Sequence, residues 1–123
     1  ILLIHGLAQS HLAFEGQLNS SLAQRFHLVA FDLRGHGNSG KPWLQAAYSD
    51  TKLWAEDVAR VIAATGLKRP VIVGWSYGTL VATDYLAVAG PGAIAGLVTT
   101  GAYGGLTPPP PPSAIAAEMQ RVP

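Results

Sequence analysis

Residues 70–78 read Pro70-Val71-Ile72-Val73-Gly74-Trp75-Ser76-Tyr77-Gly78, and this stretch decides the fold. Pro70–Gly74 is a short apolar run between chain breakers, the pattern of a strand buried on both faces. Over 77–89 the period changes: Val81, Tyr85 and Val88 fall on one side of a helix that Gly90-Pro91-Gly92 stops. Between strand and helix lies Gly74-Trp75-Ser76-Tyr77-Gly78, a G-x-S-x-G pentapeptide. Such a pentapeptide is common by chance, and its strand–turn–helix context is what gives it meaning. The chain turns so sharply there that Ser76 is predicted to hold backbone angles unfavourable for a non-glycine residue, at roughly 1–3 kcal/mol. Side chains two positions before or after would collide with neighbouring chain, so Gly74 and Gly78 fit. The helix N-terminus behind Ser76 directs free N–H groups and a positive dipole end at the hydroxyl. The plainer reading makes Ser76 an N-cap between two packing glycines, with ordinary extended or helical angles.

Working outward, Ile1–Ile4 is a second buried apolar run, closed by His5-Gly6. Phe14, Leu18, Leu22 and Phe26 recur every four residues and predict one helix over 14–26. His27–Phe31 is another apolar run, and Asp32–Pro42, rich in glycine, is a loop. Asp50 is placed to cap a helix carrying Trp54, Val58, Val61 and Ile62 on one stripe, and Gly66 to end it. Ile94–Thr100 is the last apolar strand. Beyond Gly101 come Gly104-Gly105 and the run Pro108–Pro112, which is predicted as polyproline II, with a short helical piece over Ser113–Gln120. Four strands alternating with helices predict an α/β fold, a parallel sheet with helices on both faces.

Composition narrows the function classes. Of 123 residues, 49% are hydrophobic and 12% charged, which excludes a disordered chain. The net charge of +1 forms no basic stripe, so no nucleic acid is expected as a partner. With no cysteine there is no disulfide framework, thiolate metal site or cysteine nucleophile. No apolar run approaches the ~18–20 residues of a membrane span. No leader peptide opens the chain, and the cytoplasm is favoured as its compartment. The chain starts at Ile1 and stops at Pro123 within a helix-like stretch, so it is expected to be part of a longer polypeptide.

Three segments together carry a resemblance. Ile4-His5-Gly6-Leu7, Asp32-Leu33-Arg34-Gly35-His36-Gly37-Asn38-Ser39 and Val73-Gly74-Trp75-Ser76-Tyr77-Gly78 occur in the order and at the spacing of the α/β-hydrolase fold family. The chain resembles that family over nearly all of 1–103, and in particular its serine esterases and cofactor-free haloperoxidases. The resemblance implies a spatial strand order of second, first, third, fourth. It implies residues 1–103 as the N-terminal part of a hydrolase core and 104–123 as the Pro-rich start of a lid. It also implies Ser76 as nucleophile, with the backbone N–H groups of Leu7 and Tyr77 as oxyanion-hole donors. Losing one such donor typically costs about 10²–10³ in rate. The expected reaction is hydrolysis of a small-molecule ester or acyl substrate through a serine acyl-enzyme, with no metal or organic cofactor.

In that family the acid and histidine of the triad follow the serine. Here His5, His11, His27 and His36 all precede Ser76. The 123 residues alone are therefore expected to lack hydrolase activity. His5 is expected to tie the oxyanion loop, and His36 to be structural. Asp32 and Arg34 are expected to hydrogen-bond within their own turn. Asp84 is expected on a solvated helix face, and Glu118 carries no assigned role. Trp43, Tyr48 and Trp54 are candidates either for a pocket lining or for packing. His5, His11 and Asp32 lack the spacing of a metal site. Two other readings stand beside the enzyme: a non-catalytic binding protein of the same fold, and a proline run serving as an SH3- or WW-type ligand.

Overall fold

The computed structural model describes residues 1–101. The glycine pair 104–105, the five-proline run, the 113–120 piece and Glu118 lie outside the described residues, as does the 104–123 segment read as a lid.

Strands β1 (Leu2–Ile4), β2 (Val29–Phe31), β3 (Val71–Trp75) and β4 (Gly96–Thr100) form one sheet in the order β2-β1-β3-β4. Every pairing is parallel, as the sequence predicts. Each strand starts one or two residues later than its apolar run, apart from this offset in the predicted places. Leu2, Ile4 and Ile72 point to one face of the sheet and are fully buried. Against them pack helices α4 (Thr51–Thr65) and α5 (Tyr77–Ala89), which bring Trp54, Ala55, Val58, Val81, Ala82 and Tyr85 into the same core. Each fully buried aliphatic side chain of this size stabilises the fold by about 1.5–3 kcal/mol. Leu3 and Val73 point to the opposite face and, with Phe14, border an apolar cleft of about 190 Å³.

The long helix begins and ends where its sequence says it should. The Asp50 carboxylate accepts the Lys52 N–H at 2.9 Å, satisfying one of the orphan donors of the first turn. Gly66 closes the helix in the left-handed region at φ 69°, where a side chain would be strained.

The helix predicted over 14–26 is not continuous. A 3-10 turn, His11–Phe14, runs into two four-residue helices, α1 (Glu15–Leu18) and α2 (Leu22–Arg25). The reason lies in Asn19 and Ser20. The Asn19 side chain donates to the Glu15 carbonyl (3.0 Å) and Ser20 Oγ to the Gln17 carbonyl (2.8 Å). Ser20 Oγ also accepts the Leu22 N–H at 3.2 Å. Side chains that satisfy nearby backbone groups compete with the helical ladder and stop it. Of the four-residue stripe, only Phe14 becomes buried, while Leu22 and Phe26 are exposed. A short helix, α3 (Ala46–Ser49), precedes Asp50 where no element is predicted. Among the described residues no helix is long and apolar enough to cross a membrane.

Candidate active site

The strand order creates the site. β1 and β3 are neighbours, with Ile4 level with Gly74, so the loop after β1 and the turn after β3 emerge side by side. The chain leaves β1 toward one edge of the sheet and leaves β3 toward the other, and such a switch point opens a crevice at the carboxyl ends of the strands.

Ser76 occupies the turn between β3 and α5 with φ 51° and ψ −117°. A serine gains nothing sterically at positive φ, so the surroundings hold it there. The Ser76 N–H donates to the Thr100 carbonyl at 2.9 Å, which ties the turn to the end of β4. Its hydroxyl makes no capping hydrogen bond to α5, and its angles are neither extended nor helical. Both observations oppose the plain N-cap reading. The flanking glycines are required by contact. A Cβ at Gly74 would stand 2.8 Å from Thr79 Cα, and one at Gly78 would overlap the Ile4 carbonyl. Thr79, which sequence reasoning missed, is buried, and its hydroxyl donates to the Gly74 carbonyl at 3.1 Å, closing the turn from inside. Its only sequence signal is a hydroxyl three residues after Ser76 on an otherwise apolar helix face.

Gly6 lies against this turn: a Cβ there would be 3.3 Å from Ser76 Cβ and 3.7 Å from Ser76 Oγ. Leu7 follows with an exposed side chain, and Tyr77 opens α5. Among the described residues neither the Leu7 nor the Tyr77 N–H has a hydrogen-bond acceptor. The structure thus gathers Ser76, the Gly6-Leu7 segment and the first amide of α5 at one point.

Three of the four histidine rings are engaged elsewhere. His5 is fully buried. Its Nε2 accepts the Leu33 N–H (3.0 Å), which places the proton on Nδ1, and Nδ1–H donates to the Gly6 carbonyl (2.7 Å). His36 packs edge-on against His5 with centroids 5.2 Å apart, and its Nδ1 lies 3.0 Å from the Arg34 carbonyl. His11 Nδ1 is 2.9 Å from Asp32 Oδ1. His27 is exposed, on the segment that leads into β2.

Arg34 corrects one expectation. Instead of bonding within its own turn, it reaches α4. Its Nε and Nη2 meet the two Asp57 oxygens at 2.6 and 2.8 Å, and Nη1 donates to the Ala47 carbonyl at 2.6 Å. Its guanidinium also lies 5.6 Å over the Trp54 ring. Trp54 is therefore core, packed edge-on to Tyr77 at 5.6 Å, whereas Trp43 is fully exposed. Asp84 is a second correction. It is half-buried, because it sits two turns from Tyr77 on the same side of α5. Burial raises its carboxyl pKa, and burial together with the Asp84 charge raises that of the Tyr77 phenol.

Two buried groups make stability fall in acid. Burial chiefly lowers the His5 pKa below its ordinary 6.5. The unfolded chain then binds the extra proton first, so the His5 contribution is complete above about pH 6.5 and declines as the pH falls below it. Burial alone would raise the Asp32 carboxyl, but the N–H groups of Asn38 and His11 and the His11 ring outweigh it and hold it at about 2. Its contribution is present above 3.8 and is lost as the pH falls from there toward 2. Urea midpoints of the full-length protein should therefore drop between pH 7 and 5. His5→Gln, which keeps a donor and an acceptor without a titrating ring, should flatten that drop. An equal drop in both proteins would contradict the assignment to His5.

Comparison with known proteins decides the family. The sequence model of the alpha/beta hydrolase fold matches residues 1–123.

The chain belongs to the α/β-hydrolase fold family.

It is 37% identical over 87 residues to the AB hydrolase superfamily protein YisY of Bacillus subtilis (strain 168), covering 71% of this chain and 31% of that protein. Among solved structures of α/β-hydrolase members, it is similar to an esterase from Rhodococcus sp. ECU1013. That likeness has a TM-score of 0.75 and 48% identity, over 82% of this chain and 36% of the other. A bromoperoxidase from Bacillus anthracis gives a TM-score of 0.73 at 25% identity, over 83% of this chain and 36% of the other. The chain thus spans about a third of the length of these α/β-hydrolase relatives.

Proposed function

We propose that the protein carrying this chain hydrolyses ester bonds of small molecules through an acyl-enzyme on Ser76. The observation that supports this best is the strained Ser76 turn, with Gly6-Leu7 across it and the α5 N-terminus behind it. In this reading Ser76 Oγ attacks the ester carbonyl and gives up its proton to a base. The carbonyl oxygen becomes an oxyanion that the Leu7 and Tyr77 N–H groups receive. The tetrahedral centre then collapses, the alcohol leaves with a proton, and water releases the acid from Ser76 by the same steps. Because the donors are main-chain groups, the side chains of Leu7 and Tyr77 shape the pocket and leave the chemistry to the backbone. The similarity to esterases agrees with ester chemistry.

The base and its orienting acid belong to sequence outside these 123 residues. No histidine follows Ser76, and His5, His11 and His36 each already hold a hydrogen bond. The 123 residues alone then lack a proton acceptor for Ser76 and are inactive. In this reading residues 1–103 are the N-terminal part of the hydrolase core. The deciding experiment is turnover of a p-nitrophenyl ester by the full-length protein with and without the Ser76 hydroxyl. Loss with Ser76→Ala supports the reading. Retained turnover, or none in the wild type, favours a protein of this fold that uses another nucleophile or only binds.

A further inference from the structure

The loop that carries Leu7 is clamped at its two ends to two consecutive residues, Leu33 at the start and Asp32 at the end. At its start, buried His5 bridges the Leu33 N–H (3.0 Å) and the Gly6 carbonyl (2.7 Å). At its end, Asp32 Oδ1 accepts the His11 N–H at 2.6 Å and faces the His11 ring nitrogen at 2.9 Å. The other Asp32 oxygen accepts the Asn38 N–H at 2.8 Å, and the side chain of Asp32 is only 5% exposed. Asp32 and Leu33 are consecutive at the end of β2, and Arg34 after them is locked to Asp57 of α4 by two hydrogen bonds. The anchor is therefore rigid, and the loop between its two ties is not self-supporting. Ala8, next to Leu7, sits at φ 58°, where a side chain is strained and is held only because the surroundings enforce it. Only the Gln9 N–H to the Gly6 carbonyl, at 3.2 Å, braces the loop internally.

We propose that Asp32 is a positioning residue for the Leu7 N–H: by holding His11 through both its backbone and its ring, it keeps the Gly6–His11 loop closed on Ser76. This rests on the reading of Ser76 as nucleophile. Asp32 touches neither Ser76 nor substrate in this scheme. It acts through the loop, so its removal lowers stabilisation of the oxyanion and leaves substrate affinity nearly intact.

The test uses the full-length protein and three readouts. These are p-nitrophenyl butyrate kinetics, inhibition by an aliphatic trifluoromethyl ketone, whose serine adduct carries the oxyanion, and amide hydrogen exchange over residues 6–11. Asp32→Asn should accelerate exchange across that loop. It should lower kcat about ten- to hundredfold, the scale of a misplaced rather than a missing donor, with KM within twofold. The ketone should bind more weakly by the same factor as kcat falls. His11→Gln leaves the carboxylate with the Asn38 and His11 amides and should give the same pattern, several-fold. It is the deciding variant if Asp32→Asn does not fold. A folded variant with faster exchange but unchanged kcat and ketone affinity overturns the role of Asp32, and so does unchanged exchange. A His11→Gln loss as large as that of Ser76→Ala would make His11 the base and also overturn it. Wild type without ester turnover, or Ser76→Ala with full turnover, sinks the Ser76 reading as well. Failure confined to Asp32→Asn and His11→Gln sinks the positioning role alone.

Discussion

Ser76→Ala should lower ester turnover by the full-length protein about 10⁴- to 10⁶-fold while leaving its unfolding midpoint within error of wild type. The size of the effect follows from the role: without the hydroxyl no acyl-enzyme forms, and the two amides stabilise an oxyanion that only bulk water can generate. The small effect on folding follows from the structure. The Ser76 hydroxyl caps nothing in α5, and the hydrogen bond that fixes the turn comes from the Ser76 backbone to Thr100. Alanine keeps that bond, and its Cβ inherits the strain of φ 51° that serine already bears. Measured kcat with denaturation curves of both proteins checks the pair. Turnover within tenfold of wild type would remove Ser76 from the chemistry.

Gly78→Ala should prevent stable folding. The added Cβ would overlap the Ile4 carbonyl and crowd that of His5, and neither can retreat. β1 lies between β2 and β3, paired to both, so shifting it breaks register on two sides. Overpacking typically costs ~1–3 kcal/mol where side chains can yield. Here the obstacle is backbone, so the cost should exceed that range and consume much of the ~5–15 kcal/mol that holds a domain together. Gly16→Ala is the matched control. Gly16 lies in α1 with nothing within 4 Å of its would-be Cβ, so alanine there should stabilise by about 0.5–1 kcal/mol. Soluble yield and urea denaturation distinguish the two. A Gly78→Ala protein as stable as wild type would mean that α5 does not sit this close to β1.

What was legible in the sequence was what local chemistry decides. Val71–Val73 shifting to the helical period of 77–89 located the turn, and two glycines around Ser76 forecast its strain. Asp50 and Gly66 marked the ends of α4 through side-chain and backbone rules that need no tertiary context. The 14–26 segment failed because its apolar spacing was real but weaker than the hydrogen bonds of Asn19 and Ser20 to nearby carbonyls. The Arg34–Asp57 pair was hidden for another reason: the partners are 23 residues apart and meet only after β2 and α4 have packed. The same holds for the Asp32 clasp on His11, 21 residues away. Asp84 looked like a surface residue because it is the only charged residue of a largely apolar helix and a lone carboxylate is expected in solvent, yet the side it shares with Tyr77 is half-buried.

The most direct measurement is a crystal structure of the full-length protein after reaction with an alkyl fluorophosphonate. Phosphorus should be bonded to Ser76 Oγ, with its free oxygen within hydrogen-bond distance of both the Leu7 and Tyr77 nitrogens. An adduct on another residue, or a Ser76 adduct whose oxygen turns away from those two amides, would contradict the proposed site.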